Sequence, residues 1–339
     1  MSADAEAHVA AGLRRLAPMI VPGAHSVDAV QRLSGGASQQ TWRFDVQAAA
    51  GAVPLILRRA PDGAADRTQA TVGLASEAQL IAAAKGAGVP VPAIRHVLRP
   101  QDGLGTGFVM EHLSGETLGR RIVRDARWAG ARRVLARQCG EALARIHAMP
   151  IAHLPPLRRG GPQAELQFQL DQHRHHAAVR PVFELAFQWL RRHGLSDVAQ
   201  PVLVHGDFRN GNLMVGEGGL VGVLDWELAH LGDPMEDLGW LCVHSWRFGC
   251  SDLPVGGFGT REELFEGYAA AAGRVDAARV HYWEVMGTLK WGIVCETMAH
   301  AWLSGHEREV EKAVIGRRAS EAEIDLLALL APRPAREGL

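Results

Sequence analysis

Two neighbouring segments decide the fold of this chain: VHGDFRNGNLMV at residues 204–215 and LVGVLDWE at residues 220–227. Both contain short apolar runs of strand-like character. The residues between them, GEGG at 216–219, are typical of a tight turn, so the two segments are predicted to pair as an antiparallel hairpin. Such a hairpin brings the polar residues of both segments to one end of a two-stranded ribbon.

Three of these polar side chains suit the transfer of a phosphoryl group. With the turn centred on residues 217–218, Asn212 is predicted opposite Val223, and Asp225 follows just beyond that pair. Asp207 leads into the same end of the ribbon. Mg²⁺ prefers one or two protein oxygens together with phosphate oxygens, and a separate carboxylate can orient a hydroxyl and accept its proton. Turn formation alone would explain any one of these residues, but not their convergence.

The same residues resemble a known family. An Asp two residues after a His, an Asn five residues after that Asp, and a second Asp thirteen residues later form the catalytic spacing of the protein-kinase-like superfamily. The strings HGDFRNGN and DWE resemble its aminoglycoside phosphotransferase and choline kinase branch. The resemblance implies that Asp207 is the catalytic base, that Asn212 and Asp225 hold Mg²⁺, and that ATP is the co-substrate. It also implies that His205 supports the catalytic loop.

Hydrophobic periodicity divides the chain into a sheet-rich first third and a helical remainder. A leading helix is predicted over residues 5–18, ending at Pro18. A helix over 74–86 and two strands around Ile94–Leu98 and Gly107–Met110 are also expected. Before them, three strands are expected to form an antiparallel meander. The first ends near residue 33, the second covers Thr41–Val46, and the third covers Leu55–Arg59 after a loop from Ala48 to Pro54.

The remaining residues are predicted to be mainly helical, at 128–148, 164–193, 260–273, 276–304 and 318–330. We therefore expect an α+β chain with a protein-kinase-like two-lobed fold. Its nucleotide-binding lobe would cover residues 1–113, and its helical C-terminal lobe, with the catalytic segment 204–227, would cover 114–339. Asp233 is expected in a turn and Asp237 as a helix cap.

The first lobe should supply the nucleotide site. A glycine-containing loop between two strands can cover phosphates with backbone N–H groups, and here it comprises Ser34, Gly35, Gly36, Ala37 and Ser38. The following strand should present a cation. Kinases usually place Lys there, whereas this chain has Arg58 and Arg59; strand alternation points one of them inward, and we favour Arg58.

Two further elements complete the predicted nucleotide site. Glu77 would pair with the cation, although an exposed Glu favoured by the helix dipole explains its local sequence equally well. The segment that joins the lobes resembles the hinge of kinases, where backbone groups meet adenine, and the candidate residues are Met110, Glu111 and Leu113.

Composition excludes several other classes of protein. Thirty-six Lys and Arg against 37 Asp and Glu give a formal net charge of −1, which favours neither nucleic acid nor an anionic membrane. No apolar run is long enough to span a bilayer, and no signal peptide is visible. The four cysteines form no CxxC pair, so free thiols in a reducing, cytoplasmic compartment are expected.

Two later motifs, GTLKWG at residues 287–292 and AVIGRR at residues 313–318, resemble a narrower group. These are the phosphotransferase domains fused to, or found beside, acyl-CoA dehydrogenases. The resemblance implies ATP-dependent phosphorylation of a hydroxyacyl-CoA or hydroxy acid. Cations and tryptophans in this region suit an anionic substrate better than a polycationic aminoglycoside. A homodimer or an association with an acyl-CoA dehydrogenase remains open.

Three alternative functions remain open. The acceptor could be an aminoglycoside, as in the broader family. The Arg in place of the usual Lys would suit a nucleotide-binding pseudokinase, although intact Asp207, Asn212 and Asp225 argue against it. The segment DQHRHH at residues 171–176 could instead bind Zn²⁺ in a metallohydrolase, but an amphipathic helix with hydrated histidines explains the same pattern.

Overall fold

The computed structural model describes residues 3–33, 39–61, 71–176 and 179–331. The first lobe contains α1 (Ala3–Ile20), β1 (Ala24–Arg32), β2 (Gln40–Ala48), β3 (Gly51–Arg59), α2 (Leu74–Gly86), β4 (Ile94–Val97) and β5 (Gly107–Glu111). The second part contains α3 (Gly119–Arg124), α4 (Ala129–His147), α5 (Pro162–His175), α6 (Pro181–Arg192), β6 (Val202–Val204), β7 (Leu213–Gly216), β8 (Gly219–Val223), β9 (His230–Gly232), α7 (Met235–Cys242), α8 (Arg261–Ala272), α9 (Ala277–Leu303), α10 (Val310–Gly316) and α11 (Ala319–Leu330).

The sheet of the first lobe is antiparallel and runs in the order β1-β2-β3-β5-β4. Leu55 and Leu57 belong to the apolar cluster that α1 forms on one face. Arg58 pairs with Phe108, which belongs to the core on the opposite face, where α2 lies. An antiparallel sheet followed by a mainly helical part confirms the predicted α+β, protein-kinase-like two-lobed fold.

The hairpin that carries the site is formed by β7 and β8. Its turn lies at residues 217–218, as predicted, but the register shifts farther along the ribbon. Leu213, and not Asn212, therefore lies opposite Val223. Leu224 N donates a hydrogen bond to Asn212 O at 2.8 Å. The predicted pairing was wrong by one position, because a strand irregularity leaves no clear sequence signal.

Several predicted boundaries are also corrected. The segment 164–193 is not one helix, because α5 ends at His175 and α6 begins at Pro181, where proline favours the first helical position. The leading helix continues past Pro18 to Ile20, since a proline near a helix end removes only one hydrogen bond. The loop predicted from Ala48 to Pro54 is a tight turn. Helices α3 and α10 were not predicted, and of α7 only a cap at Asp237 was expected.

A large apolar core joins α2, the hairpin and the helices of the second part. In the described ranges, no helix combines the length and apolar character needed to cross a bilayer. All four cysteines are free thiols, as predicted.

Helices α4 and α8 approach each other closely at two glycines. A Cβ at Gly140 would lie 2.2 Å from Leu264 O, and a Cβ at Gly267 would lie 2.1 Å from Arg137 O. No side chain fits between the two backbones at these points. The glycines therefore set the position of α8 against α4, which carries His147 toward the site described below.

Replacing Gly140 by Ala should destabilise the protein, because the added methyl forces α4 and α8 apart. Overpacking of this kind costs about 1–3 kcal/mol, which urea denaturation will measure as a lower free energy of unfolding. Gly86→Ala is the matched control, since a Cβ there meets nothing within 4 Å. The control should be neutral or slightly stabilising; equal stability of both variants would contradict the close contact.

Candidate active site

The loop between β6 and β7, residues 205–212, is fixed by one buried carboxylate. Asp237 Oδ2 accepts a hydrogen bond from His205 N at 2.8 Å, and Oδ1 accepts one from Gly206 N at 2.9 Å. His147 Nε2 lies 3.1 Å from the same Oδ2. Asp237 is not the predicted helix cap: it sits in the first turn of α7 and binds the loop instead of the helix end.

His205 holds the same loop from the other side. Its Nδ1 accepts a hydrogen bond from Asp207 N at 3.2 Å, so Nε2 carries the proton and donates to Leu224 O at 3.1 Å. Burial lowers the pKa of His205, despite nearby carboxylates that raise it. The structure thus places a neutral imidazole between the loop and β8, as the resemblance implied.

A close backbone contact also constrains the loop. Gly206 has a φ of 82°, and a Cβ there would lie 2.5 Å from Leu228 O. Only glycine satisfies both the left-handed conformation and the contact. The loop therefore reaches Asp207 along a path that a larger residue would block.

The carboxylate of Asp207 is held by three donors. Arg209 Nε and Trp240 Nε1 each donate to Oδ1 at 2.8 Å, and Asn212 Nδ2 donates to Oδ2 at 2.6 Å. The side chain remains partly exposed. Asp207 is therefore oriented before any ligand binds, which suits a group that must meet a hydroxyl in one direction.

Asn212 and Asp225 present oxygens at the same end of the hairpin. Asn212 uses Nδ2 for Asp207, and among the described residues nothing donates to its Oδ1. Asp225 Oδ1 accepts a hydrogen bond from Arg58 Nη2 at 2.5 Å, whereas no described residue donates to Oδ2. Asp225 also has a left-handed φ of 63°. One amide and one carboxylate oxygen are the ligands that a hard divalent cation prefers, so this pair fits Mg²⁺.

Arg58 links the first lobe to this end of the hairpin. Besides Asp225, it donates from Nε to Gln39 Oε1 at 2.6 Å and lies 3.4 Å from Glu77 Oε2 and 3.6 Å from Glu227 Oε2. Burial would lower the pKa of Arg58, but the carboxylates of Glu77, Asp225 and Glu227 together raise it above its ordinary value. A single guanidinium, permanently charged, thus offsets only part of the negative charge of this cluster of acids.

The other predicted members of the nucleotide site are placed as follows. Arg59 lies on the opposite face of β3 and is buried there. Glu77 is buried beside Arg58, so it is not an exposed helix residue; burial raises the pKa of Glu77 to about 8, although Arg58 opposes this shift. The predicted phosphate-covering loop at residues 34–38 lies outside the described residues.

The hinge residues differ in what they offer a ligand. Glu111 N donates to Ala93 O at 2.9 Å, and Glu111 Oε2 accepts from Ala93 N at 3.2 Å, so these groups already serve the sheet. Met110 is partly buried on β5. Leu113 forms no backbone hydrogen bond with another described residue. Of the three, Leu113 has backbone groups left for a nucleotide base.

Sequence reasoning missed the roles of several residues at the site. Trp240 binds Asp207 from one turn along α7 beyond Asp237, and no sequence signal distinguished it from a core aromatic. Arg209 lies within the recognised motif, yet its contact with Asp207 was not anticipated. Gln39 donates from Nε2 to Glu227 Oε2 at 3.4 Å as well as binding Arg58.

The histidine-rich segment on α5 does not form a metal cluster. Its buried member, His173, has Nδ1 2.8 Å from Glu296 Oε2. The ring of His175 meets those of His176 and His300 edge to face, and the His176 ring is tilted against that of His300. Throughout the part of the chain that the structure describes, no group of three His, Cys, Asp or Glu side chains could hold a metal.

Together, a two-lobed kinase-like fold and an acid-and-amide site between the lobes define the phosphotransferase class. Residues 29–279 match the phosphotransferase enzyme family, and the chain belongs to that family.

Solved structures share the fold. A presumed aminoglycoside phosphotransferase from Ralstonia eutropha has a TM-score of 0.71 and 19% identity, with 97% of this chain and 98% of that chain covered. A choline/ethanolamine kinase family protein from Mesorhizobium loti has a TM-score of 0.61 and 20% identity, with 97% of this chain and 94% of that chain covered. A thermostable mutant of aminoglycoside phosphotransferase APH(4)-Ia, in a ternary complex with AMP-PNP and hygromycin B, has a TM-score of 0.58 and 17% identity. The match covers 90% of this chain and 93% of that chain. At these identities the likeness shows the fold alone.

Similar sequences occur within longer proteins. Acyl-CoA dehydrogenase family member 10 of Mus musculus is 29% identical over an alignment of 240 residues that covers 65% of this chain and 22% of the relative. Probable acyl-CoA dehydrogenase IBR3 of Arabidopsis thaliana is 26% identical over an alignment of 318 residues that covers 84% of this chain and 38% of the relative. The chain therefore spans less than half the length of either protein.

Replacing Asp237 by Asn should loosen the catalytic loop and destabilise the protein. Hydrogen bonds to a buried charge contribute about 1.5–3 kcal/mol, so the free energy of unfolding should fall by about 2 kcal/mol in urea at neutral pH. Asp252→Asn, at an exposed turn position, is the matched control and should change it by less than about 0.5 kcal/mol.

The loss of unfolding free energy in Asp237→Asn should also depend on pH. Burial alone would raise the pKa of Asp237, but the hydrogen bond and charge of His147, followed by His205, hold it below the usual aspartate range. The ionised carboxylate therefore stabilises the fold above that usual range, and this contribution is lost as pH falls through the lowered pKa. The difference between wild type and Asp237→Asn should shrink in acid; a constant difference would contradict the assignment.

Proposed function

We propose that this protein transfers the γ-phosphoryl group of ATP, with Mg²⁺, to a hydroxyl of a small molecule, and that the acceptor is a hydroxyacyl-CoA or a hydroxy acid. The observation that carries the proposal is the carboxylate of Asp207, held by three donors beside Asn212 Oδ1 and Asp225 Oδ2, to which no described residue donates a hydrogen bond. A protein that only bound nucleotide would not need this oriented carboxylate.

Asp207 would orient the acceptor hydroxyl and take its proton as the new bond to phosphorus forms. Asn212 and Asp225 would hold Mg²⁺, which neutralises phosphate charge when bound. Asn212 would serve twice, because its amide nitrogen positions Asp207 while its oxygen would be left to hold the metal. Arg209 lies beside the base and can meet negative charge on the transferred group.

Arg58 would bind phosphate oxygens in place of the usual Lys. It forms an ion pair with Asp225, so phosphate would compete with that carboxylate for the same guanidinium. Arg binds phosphate bidentately, which a lysine ammonium does not. Glu77 would keep Arg58 in place, the loop at Ser34–Ser38 would cover the phosphates, and Leu113 would meet the base.

The acceptor is inferred from relatives and from local chemistry. The two curated relatives described above are named as acyl-CoA dehydrogenases, which suggests an acyl substrate for a phosphotransferase region within them. Association with such a dehydrogenase, or a homodimer, accords with that context, and a cytoplasmic location is part of the proposal. We further propose that residues 1–113 and 114–339 act as the two lobes.

Replacing Asp207 by Asn should remove turnover while Mg·ATP binding remains. Loss of a general base costs about 10²–10⁴-fold in rate, measured as ADP release across hydroxyacyl-CoAs, free hydroxy acids, aminoglycosides and choline. Asp252→Asn should retain the wild-type rate with the best acceptor.

The acceptor panel separates the alternatives. Stimulation by a hydroxyacyl-CoA or hydroxy acid, lost in Asp207→Asn, supports the proposal. Stimulation by an aminoglycoside would keep the mechanism and overturn the acceptor, and undiminished turnover in the variant would overturn the base. Mg·ATP binding without stimulation by any acceptor would favour a pseudokinase.

Replacing Asp225 by Ala should weaken Mg·ATP binding about tenfold or more, because a metal ligand is lost. Calorimetry with ATP in EDTA provides an internal comparison: metal-free ATP should bind no worse, since Arg58 loses a competing carboxylate. Glu217→Ala, in the exposed hairpin turn, should leave both affinities unchanged. Equal Mg·ATP affinity in wild type and Asp225→Ala would exclude Asp225 as a ligand.

A further inference from the structure

Trp240 connects the catalytic carboxylate to the first of the two late motifs. Its Nε1 donates to Asp207 Oδ1 at 2.8 Å, and its side chain is buried. The motif GTLKWG, residues 287–292, lies on α9, and two of its members contact the indole ring. A motif far along the chain from the catalytic loop therefore packs on the residue that binds the candidate base.

The indole of Trp240 is confined on several sides. A Cβ at Gly287 would lie 2.9 Å from Trp240 Cε3, so the ring occupies space that a larger residue would need. Lys290 Nζ lies 5.1 Å from the centroid of the ring. The ring of Trp246 meets it edge to face, with centroids 5.1 Å apart. These contacts fix the direction of the indole N–H.

A second donor is directed at the same oxygen. Arg209 Nε donates to Asp207 Oδ1 at 2.8 Å, and its Nη1 donates to Asn210 O at 2.9 Å. The guanidinium lies over Trp246, 4.6 Å from the ring centroid. Trp246 therefore supports both residues that donate to Oδ1, Arg209 through its face and Trp240 through an edge contact.

The two oxygens of Asp207 differ in the number of donors that they meet. A carboxylate has about four lone-pair positions, about two on each oxygen. Arg209 and Trp240 fill those of Oδ1, whereas Oδ2 accepts from Asn212 Nδ2 alone among the described residues. The side chain is 14% exposed, so an incoming group can still reach it. The position left for that group is on Oδ2.

We propose that Trp240 is a positioning residue: with Arg209 it saturates Oδ1 of Asp207, so that Oδ2 receives the proton of the acceptor hydroxyl. This inference rests on the proposed function, because it assumes that a hydroxyl reacts at Asp207. The acceptor oxygen bonds to the γ-phosphorus of ATP and its proton passes to Oδ2. The bond from that phosphorus to the β-phosphate oxygen breaks, and ADP leaves with the bonding electrons.

The position of Oδ2 suits this step. Asn212 donates to Oδ2, and the side-chain oxygen of Asn212 is a candidate metal ligand. A hydroxyl at Oδ2 would therefore lie on the metal side of the carboxylate, where the γ-phosphoryl group would be held. A hydroxyl at Oδ1 would instead compete with Arg209 and Trp240. Because the indole fills its position on Oδ1, the hydroxyl has one place to bind and one direction of attack.

The test is Trp240→Phe in the full chain, because phenylalanine keeps an aromatic ring and removes the N–H. With the acceptor that gives the fastest ADP release, kcat should fall about 10-fold to 100-fold while KM for Mg·ATP and acceptor changes little. The ratio of ADP released to acceptor phosphorylated should rise, since water can occupy the vacated position on Oδ1. Trp291→Phe is the matched control: the indole nitrogen of Trp291 is buried without a partner among the described residues, so kcat and the ratio should not change.

A second variant reaches Trp240 through its neighbour. Gly287→Ala should displace the indole and lower kcat in the same way, although it leaves the N–H present. Combined with Trp240→Phe it should add little further loss. Gly292→Ala is the matched control on α9, because its methyl would collide with the ring of Phe183, away from the base. This control should lower stability and keep kcat below its unfolding temperature.

Nuclear magnetic resonance of the indole N–H groups gives a readout that needs neither ATP nor acceptor. The chain has nine tryptophans, and the Trp240 signal is the one that Trp240→Phe removes. In Asp207→Ala this proton resonance should move upfield, because it loses a charged acceptor, while the resonance of Trp42 in the first lobe should not move.

Three outcomes would overturn the inference: wild-type kcat in Trp240→Phe, an unchanged ratio of ADP to phosphorylated acceptor in that variant, or an indole resonance that does not respond to Asp207→Ala. Unchanged Mg·AMP-PNP affinity shows that Trp240→Phe is folded. Failure of the proposed function is separately visible, because wild type would then release no ADP with any acceptor. Release by wild type that Trp240→Phe leaves unchanged would refute the role of Trp240 alone.

Discussion

The geometry of the site depends on one buried carboxylate. Asp237 accepts hydrogen bonds from two successive backbone N–H groups of the catalytic loop and from a buried histidine. These donors compensate the cost of burying its charge, and the charge in turn fixes the loop. The same helix carries Trp240, which binds the side chain of Asp207. One short helix therefore positions both the backbone of the loop and the carboxylate of Asp207.

The first lobe contacts the site through an ion pair between Arg58 and Asp225. Arg58 on β3 contacts Asp225 across the cleft, while Glu77 on α2 supports it from within its own lobe. Because the guanidinium faces three carboxylates, the cleft retains an excess of negative charge that a divalent cation can compensate. Arg58 thus provides contact between the lobes and, under the proposed function, would also bind phosphate, so a change at Arg58 would alter both.

Sequence patterns predicted the features of this arrangement that depend on residues close together in the sequence. The glycine-rich turn predicted the hairpin, and the spacing of Asp207, Asn212 and Asp225 predicted their convergence. Strand alternation correctly separated Arg58 from Arg59. The register shift in the hairpin, the role of Asp237 and the contact of Trp240 were not predictable in this way, because they depend on packing between segments distant in sequence. Pro181 is a sequence signal for the break between α5 and α6. The helical periodicity on both sides of it nevertheless led to the prediction of one continuous helix.

The shifted register has a mechanical consequence. Leu224 is bound through both of its backbone groups, since its N–H donates to Asn212 O and its carbonyl accepts from His205. The residue that follows is Asp225, in a left-handed conformation. Asn212 is therefore hydrogen-bonded to the residue that immediately precedes Asp225, so the two residues are expected to move together. Under the proposed function, the two side chains that would hold Mg²⁺ would therefore keep their spacing whenever the lobes move relative to each other.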